Sequence, residues 1–264
     1  MNSMGPKKQF GQHFLTSVRY AERIAESVAA QENENVLEIG PGNGALTAHL
    51  VKRFPELHCV EIDEDVSAAL EIKIGQGRWT LHKCDALSFE FKTVGFPLHV
   101  VGNLPYNIGA LLIKKTLLYG NDISTCTFMV QREVAQRIAA GPHTKESGFL
   151  TIFCQFFGKP KILFHVPPGA FFPRPSVDST VFSLRIDRNL DTRLPASRWN
   201  DYFSFVDKGF RTRRKMLANV LGAHGGRDKW TLLLDKLGIV RTSRAEDLSA
   251  EEWLNLYKLS CDIP

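Results

Sequence analysis

The segment Asn103-Leu104-Pro105-Tyr106 combines groups that can hold and orient an aromatic amine. The Asn103 side-chain oxygen and the Leu104 backbone carbonyl can each accept one proton of an exocyclic amine such as adenine N6, which directs the nitrogen lone pair at an electrophile. Pro105 fixes the backbone, and the Tyr106 ring offers a face on which a base can stack. Taken alone, these four residues are equally consistent with a plain strand-to-helix turn.

A glycine-rich segment with the sequence Glu-Ile-Gly-Pro-Gly-Asn-Gly, from Glu38 to Gly44, precedes that motif. It stands between a predicted strand and a predicted helix, where glycines let the backbone turn tightly beside a ligand. The spacing differs from the G-x-G-x-x-G pattern of dinucleotide-binding folds, because position 45 is alanine. The form E-x-G-x-G-x-G is typical of methyltransferases that use S-adenosylmethionine, a cofactor with no pyrophosphate.

Two carboxylates follow at the ends of the next predicted strands. Glu61 lies 21 residues after Gly40 and is placed to accept hydrogen bonds from a ribose diol. Asp85 follows the third strand and can accept a proton from the exocyclic amine of an adenine. Each carboxylate alone is more typical of a solvated strand end. Their succession indicates a nucleotide site, because ligands of open α/β sheets bind where the strands end.

A second aromatic candidate lies in Phe171-Phe172-Pro173-Arg174-Pro175. Prolines stiffen this loop, and a rigidly held ring could cover the second face of a base turned out of its stack. We expect Phe171 to supply that ring, with Phe172 as the second choice. Ordinary core packing of both rings is the open alternative.

The elements that position these groups alternate between short apolar runs and helical periodicity. This order predicts a parallel sheet covered by helices on both faces. The predicted strands of this alternating order are 36–39, 57–62, 79–82, 98–101 and 126–130. The helices predicted alongside them are 17–30, 46–53, 66–73, 108–118 and 132–139. Later segments change character: two further strands, 162–166 and 180–186, are predicted on either side of a proline-rich run. Later helices are predicted at 199–210, 215–221, 230–237 and 250–259.

The predicted fold class is therefore α/β: a Rossmann-like S-adenosylmethionine-dependent methyltransferase domain with a small C-terminal all-helical domain. We place the catalytic domain at 1–187, with an N-terminal arm at 1–16, and the helical RNA-binding domain at 196–264. The residues between them, rich in charge and ending in Pro195, are predicted to form a linker.

Composition narrows the setting. The chain has 264 residues and five cysteines, with no Cys-x-x-Cys, which favours neither a disulfide framework nor a zinc site. The N-terminus has no apolar signal-peptide core, and no apolar run approaches the roughly 20 residues that span a bilayer. We expect a cytoplasmic monomer that needs no metal and does not contact a membrane.

Positive charge is concentrated late in the chain. Residues 185–244 contain 14 Lys and Arg against 6 Asp, although the whole chain has a net charge of only +5. The densest cluster is expected to bind RNA phosphates, together with Lys7 and Lys8 of the arm. That cluster consists of Arg211, Arg213, Arg214 and Lys215. A solvated helix face is the alternative interpretation.

Together these segments resemble the KsgA family of small-subunit ribosomal RNA adenine dimethyltransferases over nearly the whole chain. The matching segments are Phe10–Leu15, Glu38–Thr47, Val60–Asp63, Asp85–Leu87, Asn103–Tyr106, Phe171–Ser179, Phe210–Leu217 and Arg244–Ser249. The resemblance implies N6,N6-dimethylation of two adjacent adenosines in the 3′-terminal hairpin loop of 16S rRNA, late in assembly of the 30S ribosomal subunit.

The resemblance also implies site residues. The cofactor contacts carry over onto His13, Leu15, Gly40, Glu61, Asp85 and Asn103. The catalytic group carries over onto Asn103, Leu104, Tyr106 and Phe171. Three positions depart from the commonest family pattern: His13 replaces a usual Asn, Asn43 a frequent Leu, and Cys84 a common Gly.

Three other functions compete with this interpretation. The sister family that dimethylates 23S rRNA usually has Ile at the position of Leu104, and the C-terminal basic segments fit it less well. DNA adenine methyltransferases usually have two prolines in the reaction motif. A non-catalytic nucleic-acid binder with this fold is disfavoured by the intact Asn103, Tyr106 and Glu61.

Overall fold

The computed structural model describes residues 13–224 and 226–262. The strands are β1 (Phe14–Leu15), β2 (Asn35–Ile39), β3 (His58–Glu61), β4 (Thr80–Lys83), β5 (Leu98–Asn103), β6 (Ile123–Gln131), β7 (Pro160–Val166), β8 (Phe171–Phe172) and β9 (Ser179–Arg185). The predicted phosphate contacts of Lys7 and Lys8 lie outside the described residues.

The α-helices match most of the predicted ones within a few residues. They are α1 (Val18–Ser27), α2 (Thr47–Arg53), α3 (Glu64–Ile74), α4 (Gly109–Leu118), α5 (Arg132–Ile138), α6 (Phe149–Phe157), α7 (Leu190–Arg193), α8 (Trp199–Phe210), α9 (Leu217–Leu221), α10 (Arg227–Lys236) and α11 (Ala250–Cys261). In the part of the chain that the structure describes, no helix is long and apolar enough to cross a membrane.

Seven strands form one sheet in the order β4-β3-β2-β5-β6-β9-β7. The first five are parallel, as predicted, whereas β9 runs antiparallel to both β6 and β7. The parallel order predicted from the alternating strands and helices is confirmed for these five strands. No direction was predicted for the two later strands, which make the sheet mixed at this edge. Antiparallel neighbours need no crossover helix, so β7 and β9 are joined by a loop that contains β8.

Helices and loops cover both faces of the sheet. Neighbouring residues of one strand point to opposite faces, and both Val36 and Leu37 of β2 are fully buried, as is the pair Val100 and Val101 of β5. On one face, residues of α1 and α2 pack on the sheet in a continuous apolar cluster. This burial fixes the register of the strands and hence the positions of the residues that follow them.

Backbone contacts divide the chain into two compact units. The first contains Met1–Ala135 and Pro160–Ile186, and the second contains Gln136–Lys159 and Asp187–Pro264. The second unit is discontinuous because it includes α6, a helix that the sequence analysis did not predict. The functional domain limits of 1–187 and 196–264 stay a prediction.

The second unit has an aromatic core built on α6 and α8. The ring of Phe153 lies 4.4 Å from that of Phe203, and the ring of Phe157 lies 5.1 Å from that of Trp199. The sequence of α6, Phe-Leu-Thr-Ile-Phe-Cys-Gln-Phe-Phe, is apolar on most sides. It therefore lacks the polar stripe from which an amphipathic helix is predicted.

The predicted linker before residue 196 is folded. It contains α7, in which Leu190 is fully buried, and Leu194 is buried immediately after the helix. The linker prediction is therefore wrong. Its charged residues suggested an exposed segment, while two leucines four positions apart bury one side of a short helix.

Candidate active site

The strand order brings the predicted site residues into a row at one edge of the sheet. Asp85 follows β4, Glu61 ends β3, Gly40 follows β2 and Asn103 ends β5, and these strands are neighbours in that order. Strands lie about 4.8 Å apart, so this row extends over roughly 14 Å. That length suits an extended nucleoside with a substituent at its 5′ end.

These residues line one cavity of about 270 Å³, near the lower end of volumes that hold small ligands. The predicted cofactor and reaction residues that line it are His13, Leu15, Gly40, Glu61, Asp85, Asn103, Leu104 and Tyr106. Phe171 is not among the lining residues. The cavity walls also include Glu38 and Asn43 of the predicted glycine-rich segment, and Phe14, for which the sequence indicated no separate contact.

The glycine loop after β2 has the backbone that its sequence predicts. Gly40, Gly42 and Gly44 all have positive φ, at 67°, 54° and 71°. A side chain at Gly42 would also meet the Phe14 ring, since its Cβ would lie 3.0 Å from that ring. The loop therefore requires glycine both for its conformation and for close packing beside the cavity.

A glycine before the reaction motif brings β5 close to the glycine loop. A Cβ at Gly102 would lie 2.5 Å from the backbone oxygen of Ile39, the last residue of β2. Any larger residue would push the two strand ends apart. Gly102 thus lets Asn103 sit directly beside the glycine loop.

Glu61 is buried and holds the glycine loop. Its carboxylate accepts the backbone N–H of Gly42 at 3.2 Å and that of Asp63 at 3.0 Å. Burial raises the pKa of this carboxyl, and the backbone hydrogen bonds act in the opposite direction. A carboxylate with two oxygens has further lone pairs, so the predicted ribose contact is compatible with these bonds.

The start of α3 fixes Glu61 from the other side. Asp63 is the N-cap of α3, and its carboxylate accepts the backbone N–H groups of Asp65 at 3.1 Å and Val66 at 3.4 Å. Because the cap lies two residues after Glu61, the end of β3 is anchored to the helix that follows. The Asp63 carboxylate therefore serves as the N-terminal cap of α3.

Glu38 is a second buried carboxyl in the cavity wall. Burial raises its pKa to about 7, and the thiol of Cys59 lies 3.6 Å from its Oε2. The nearby Glu61 acts in the same direction as burial, while hydrogen bonds oppose it. Glu38 therefore titrates near neutral pH.

The orientation of the Asn103 amide follows from its partner. Its Nδ2 donates to the backbone carbonyl of His13 at 3.1 Å. Because a carbonyl can only accept, the NH₂ group must face His13, and Oδ1 is the acceptor left for a ligand. The N–H of Leu104 donates to the carbonyl of Met129 at 3.1 Å, which anchors the next peptide. Asn103 Oδ1 is thus available as an acceptor, and the predicted acceptor role of the Leu104 carbonyl stays a prediction.

Two contacts hold the Tyr106 side chain, one at its hydroxyl and one at its ring. Its hydroxyl shares a 2.9 Å hydrogen bond with the hydroxyl of the buried Ser179, and its ring centre lies 5.2 Å from that of His13. Burial raises the pKa of the phenol, so it remains neutral. Tyr106 is therefore a fixed, uncharged ring in the cavity wall.

Residues 13–15 of the arm are held to the cavity by side chains from two loops. Besides the Asn103 bond to His13, the Asn43 amide donates to the carbonyl of Leu15 at 3.3 Å. The His13 ring donates from Nδ1 to the carbonyl of Pro173 at 2.8 Å. Asn43 and His13, both departures from the commonest pattern, thus fasten the arm. These contacts join residues up to 160 positions apart, so no local sequence pattern predicts them.

Phe171 and Phe172 have opposite environments. β8 pairs antiparallel with β1, with Phe171 opposite Leu15 and Phe172 opposite Phe14. Phe171 is only 5% exposed and belongs to an apolar cluster, whereas Phe172 is 65% exposed. The ring predicted to cover a base therefore lies in the core behind Leu15, and its stacking role stays a prediction.

The four basic residues predicted to bind phosphates have unequal roles in the second unit. Arg213 donates from Nε to Glu246 at 2.9 Å, and from Nη2 to the carbonyls of Lys145 at 2.9 Å and Ser147 at 2.7 Å. Arg211 lies 3.6 Å from Asp207. Arg214 and Lys215 are exposed. Arg213 therefore also joins segments of the protein, and the phosphate contacts of all four residues stay a prediction.

The donor set suits a nucleoside cofactor. A glycine loop with positive φ, a buried carboxylate and a second carboxylate one strand further are the groups that hold a nucleoside at strand ends. Among residues 13–224 and 226–262, no group of three or more His, Cys, Asp and Glu side chains could hold a metal ion. The fold and the cavity define the class of Rossmann-like, S-adenosylmethionine-dependent methyltransferases.

Comparison with protein families narrows the class. The family described as ribosomal RNA adenine dimethylase matches residues 5–262, and the chain belongs to this family. It is 37% identical over 257 residues to ribosomal RNA small subunit methyltransferase A of Alcanivorax borkumensis, across 96% of this chain and 90% of the relative. The Saccharophagus degradans protein of the same name is 39% identical over 254 residues, across 95% and 92%.

Solved structures show the same fold. The 23S rRNA methyltransferase ErmE superposes with a TM-score of 0.73 at 26% identity, across 93% of this chain and 98% of ErmE. A dimethyladenosine transferase from Plasmodium falciparum superposes with a TM-score of 0.82 at 20% identity, across 95% and 98%. The second likeness concerns the fold alone.

Proposed function

We propose that the chain transfers methyl groups from S-adenosylmethionine to N6 of two adjacent adenosines in the 3′-terminal hairpin loop of 16S rRNA, late in 30S assembly. The observation that carries the proposal is the Asn103 amide, whose oxygen is left as an acceptor beside a nucleoside cavity. The small-subunit target is supported by relatives of that name at 37% and 39% identity, against 26% for the 23S rRNA methyltransferase.

The proposed cofactor contacts follow the row of strand ends. Asp85 accepts a hydrogen bond from the exocyclic amine of the cofactor adenine, and Glu61 accepts hydrogen bonds from the hydroxyls of its ribose. The glycine loop from Gly40 approaches the ligand with backbone alone, while His13 and Leu15 close the cavity from the arm. This order directs the other end of the cofactor, which supplies an electrophilic methyl group when bound, toward Asn103.

The reaction motif holds the target base. Asn103 Oδ1 and the Leu104 carbonyl accept the two N6 protons, which orients the nitrogen lone pair and stabilises the positive charge that develops on the amine. The Tyr106 ring stacks on the base. The leaving group is a neutral thioether, so the scheme includes no metal ion.

The same two acceptors explain why the reaction can occur twice and then stop. Adenosine has two N6 protons, its monomethylated form has one, and the dimethylated product has none. The first product therefore still engages one acceptor, whereas the final product engages neither Asn103 nor Leu104. Loss of both hydrogen bonds favours release of the dimethylated base.

The proposed partner is 16S rRNA in the immature 30S subunit, which implies a cytoplasmic, monomeric enzyme with no membrane contact. All four residues of the basic cluster are exposed and suit sequence-independent phosphate contacts. Arg213 also bonds to groups of the protein, whereas no such bond is described above for Arg214 and Lys215. Arg211 can contribute if its pair with Asp207 opens, because exposed pairs contribute little to stability.

Methyl-labelled S-adenosylmethionine tests the proposal. The enzyme is incubated in parallel with undermethylated 30S particles and with protein-free 23S rRNA, and the label in each RNA is counted. We expect label in 16S rRNA of the particles alone. Label confined to 23S rRNA would favour the sister activity, and the absence of label from both would contradict methyl transfer to ribosomal RNA.

A further inference from the structure

Lys115, on α4, places its ammonium between two backbone carbonyls of the segment that follows Asp85. Its Nζ donates to the carbonyl of Leu87 at 2.7 Å and to that of Phe89 at 2.6 Å. The same ammonium lies 5.2 Å from the centre of the Phe91 ring. The side chain is half-buried, and this burial lowers its pKa. One cation thus binds the whole segment to a helix.

The segment that Lys115 holds is part of the cavity wall. Asp85 and Leu87 both line the cavity, and the Asp85 carboxylate accepts the N–H of Leu87 at 2.8 Å. The N–H of Phe89 donates to the backbone carbonyl of Asp85 at 3.0 Å. Leu87 therefore takes part in both interactions: its N–H donates to the Asp85 carboxylate, and its carbonyl accepts from the Lys115 ammonium.

This wall has no strand or helix of its own to hold it. Residues 85–89 form turns, so their backbone groups depend on individual partners instead of a ladder. Hydrogen bonds to a charged donor are among the stronger ones in proteins. Removal of the ammonium leaves the carbonyls of Leu87 and Phe89 without that donor, and the Asp85 carboxylate loses its fixed position.

We infer that Lys115 is a positioning residue for the adenine end of the cofactor site, holding Asp85 where it accepts the exocyclic amine of a 6-aminopurine. The inference rests on the adenine contact assigned to Asp85 under the proposed function. Lys115 lies on α4, which begins three residues after Tyr106. This helix therefore links the reaction motif to residues 85–89, the segment that includes Asp85 of the cavity wall.

Binding of two ligands that differ in the 6-substituent of the purine, and in the N1 proton that accompanies it, tests this role without turnover. S-adenosylhomocysteine has the 6-amino group, and S-inosylhomocysteine has a carbonyl oxygen in its place. Dissociation constants of both are measured by calorimetry for the full-length wild type, Lys115→Met, Lys115→Arg and the control Lys114→Met. The control removes the adjacent lysine of the same helix and leaves both carbonyls with their donor.

We expect Lys115→Met to weaken S-adenosylhomocysteine about tenfold and the inosine analogue by less than about threefold. Lys115→Arg should restore much of the selectivity, because a guanidinium can donate to both carbonyls, and Lys114→Met should match the wild type. Retained selectivity in Lys115→Met, or equal weakening of both ligands, would overturn the inference, as would a wild type that binds neither ligand. If selectivity falls as expected but no 16S rRNA is methylated, the inference stands and the proposed function fails.

Discussion

Under the proposed function, Asn103 uses different atoms of one amide for the protein and for the substrate. Its NH₂ group donates to the backbone carbonyl of His13, and this bond leaves Oδ1 as the acceptor that the proposal assigns to the target amine. A residue with only acceptor atoms, such as Asp, could not make both contacts in its ionised form. The amide is therefore suited to this position for reasons of both folding and chemistry.

Asn103→Ala should lower kcat about 10²- to 10³-fold, the range observed when one preorganised charge-stabilising group is removed from an active site. Affinity for S-adenosylhomocysteine and for 30S particles should fall much less. Single-turnover methylation and equilibrium binding are measured together, with the exposed Asn33→Ala as control. An undiminished rate would remove Asn103 from its assigned role.

Glu38 makes the stability of the fold depend on pH near neutrality. Its pKa of about 7 lies above the ordinary 4.5, so the folded state retains a proton that the unfolded chain releases between these values. This contribution to stability is complete below about pH 4.5 and is lost as pH rises through 7. Glu38→Gln should therefore gain up to about 3 kcal/mol relative to wild type between pH 5 and pH 8.

Urea unfolding of both proteins at pH 5 and pH 8 checks this expectation. The quantity of interest is the change with pH in the difference between the two unfolding free energies, because groups that do not interact with Glu38 titrate equally in both proteins. A difference that stays constant would show that Glu38 is ionised throughout.

The short pairing of β1 with β8 determines what Phe171 can do. Its ring lies opposite Leu15, a cavity residue, and is covered in the described structure. If Phe171 also stacks on the target base, Phe171→Leu should lower kcat/KM for 30S particles about tenfold, because base–aromatic stacking contributes about 1–3 kcal/mol. Affinity for S-adenosylhomocysteine should stay within about twofold of wild type.

Phe172→Leu is the matched control, since the same change is made at an exposed ring in the same strand. A Phe171→Leu protein that loses only thermal stability would identify Phe171 as a core residue. The stacking prediction would then be wrong.

Two basic residues that follow α8 are expected to have different roles: Arg213 stabilises the fold, whereas Arg214 is available to bind RNA. Arg213→Ala should lower the free energy of unfolding by about 1 kcal/mol, because the carbonyl of the buried Ser147 loses a charged donor while the other two bonds are exposed. Arg214→Ala should leave stability unchanged and reduce the slope of log binding constant against log salt by about one. Unfolding curves and salt titrations of 30S binding measure both. Equal effects of the two changes would contradict this division.

Elements with strong periodicity could be predicted from sequence, whereas those fixed by distant pairing could not. β2 and α1 show their patterns locally and were predicted within three residues of their observed limits. The two-residue strands β1 and β8 exist only because they pair across more than 150 positions. The predicted site residues follow from residue type at strand ends. Their hydrogen-bond partners, such as the His13 carbonyl for Asn103, depend on the tertiary fold.

At the scale of the whole molecule, charge and chemistry are assigned to different parts of the chain. The nucleoside cavity lies in the first unit, while the densest basic cluster lies in the second. Contacts between basic side chains and RNA phosphates give affinity without sequence preference. Under the proposed function, the choice of adenosine then comes from the cavity.

The decisive measurement is mass spectrometry of both the nucleosides and the nuclease-derived oligonucleotides of 16S rRNA from undermethylated 30S particles, before and after treatment with the enzyme and S-adenosylmethionine. We expect N6,N6-dimethyladenosine at two adjacent positions of the 3′-terminal hairpin loop, and no such product with Asn103→Ala over the same period. Dimethyladenosine elsewhere in the 16S rRNA, methylation at a position other than N6, or no new methylated nucleoside would contradict this expectation.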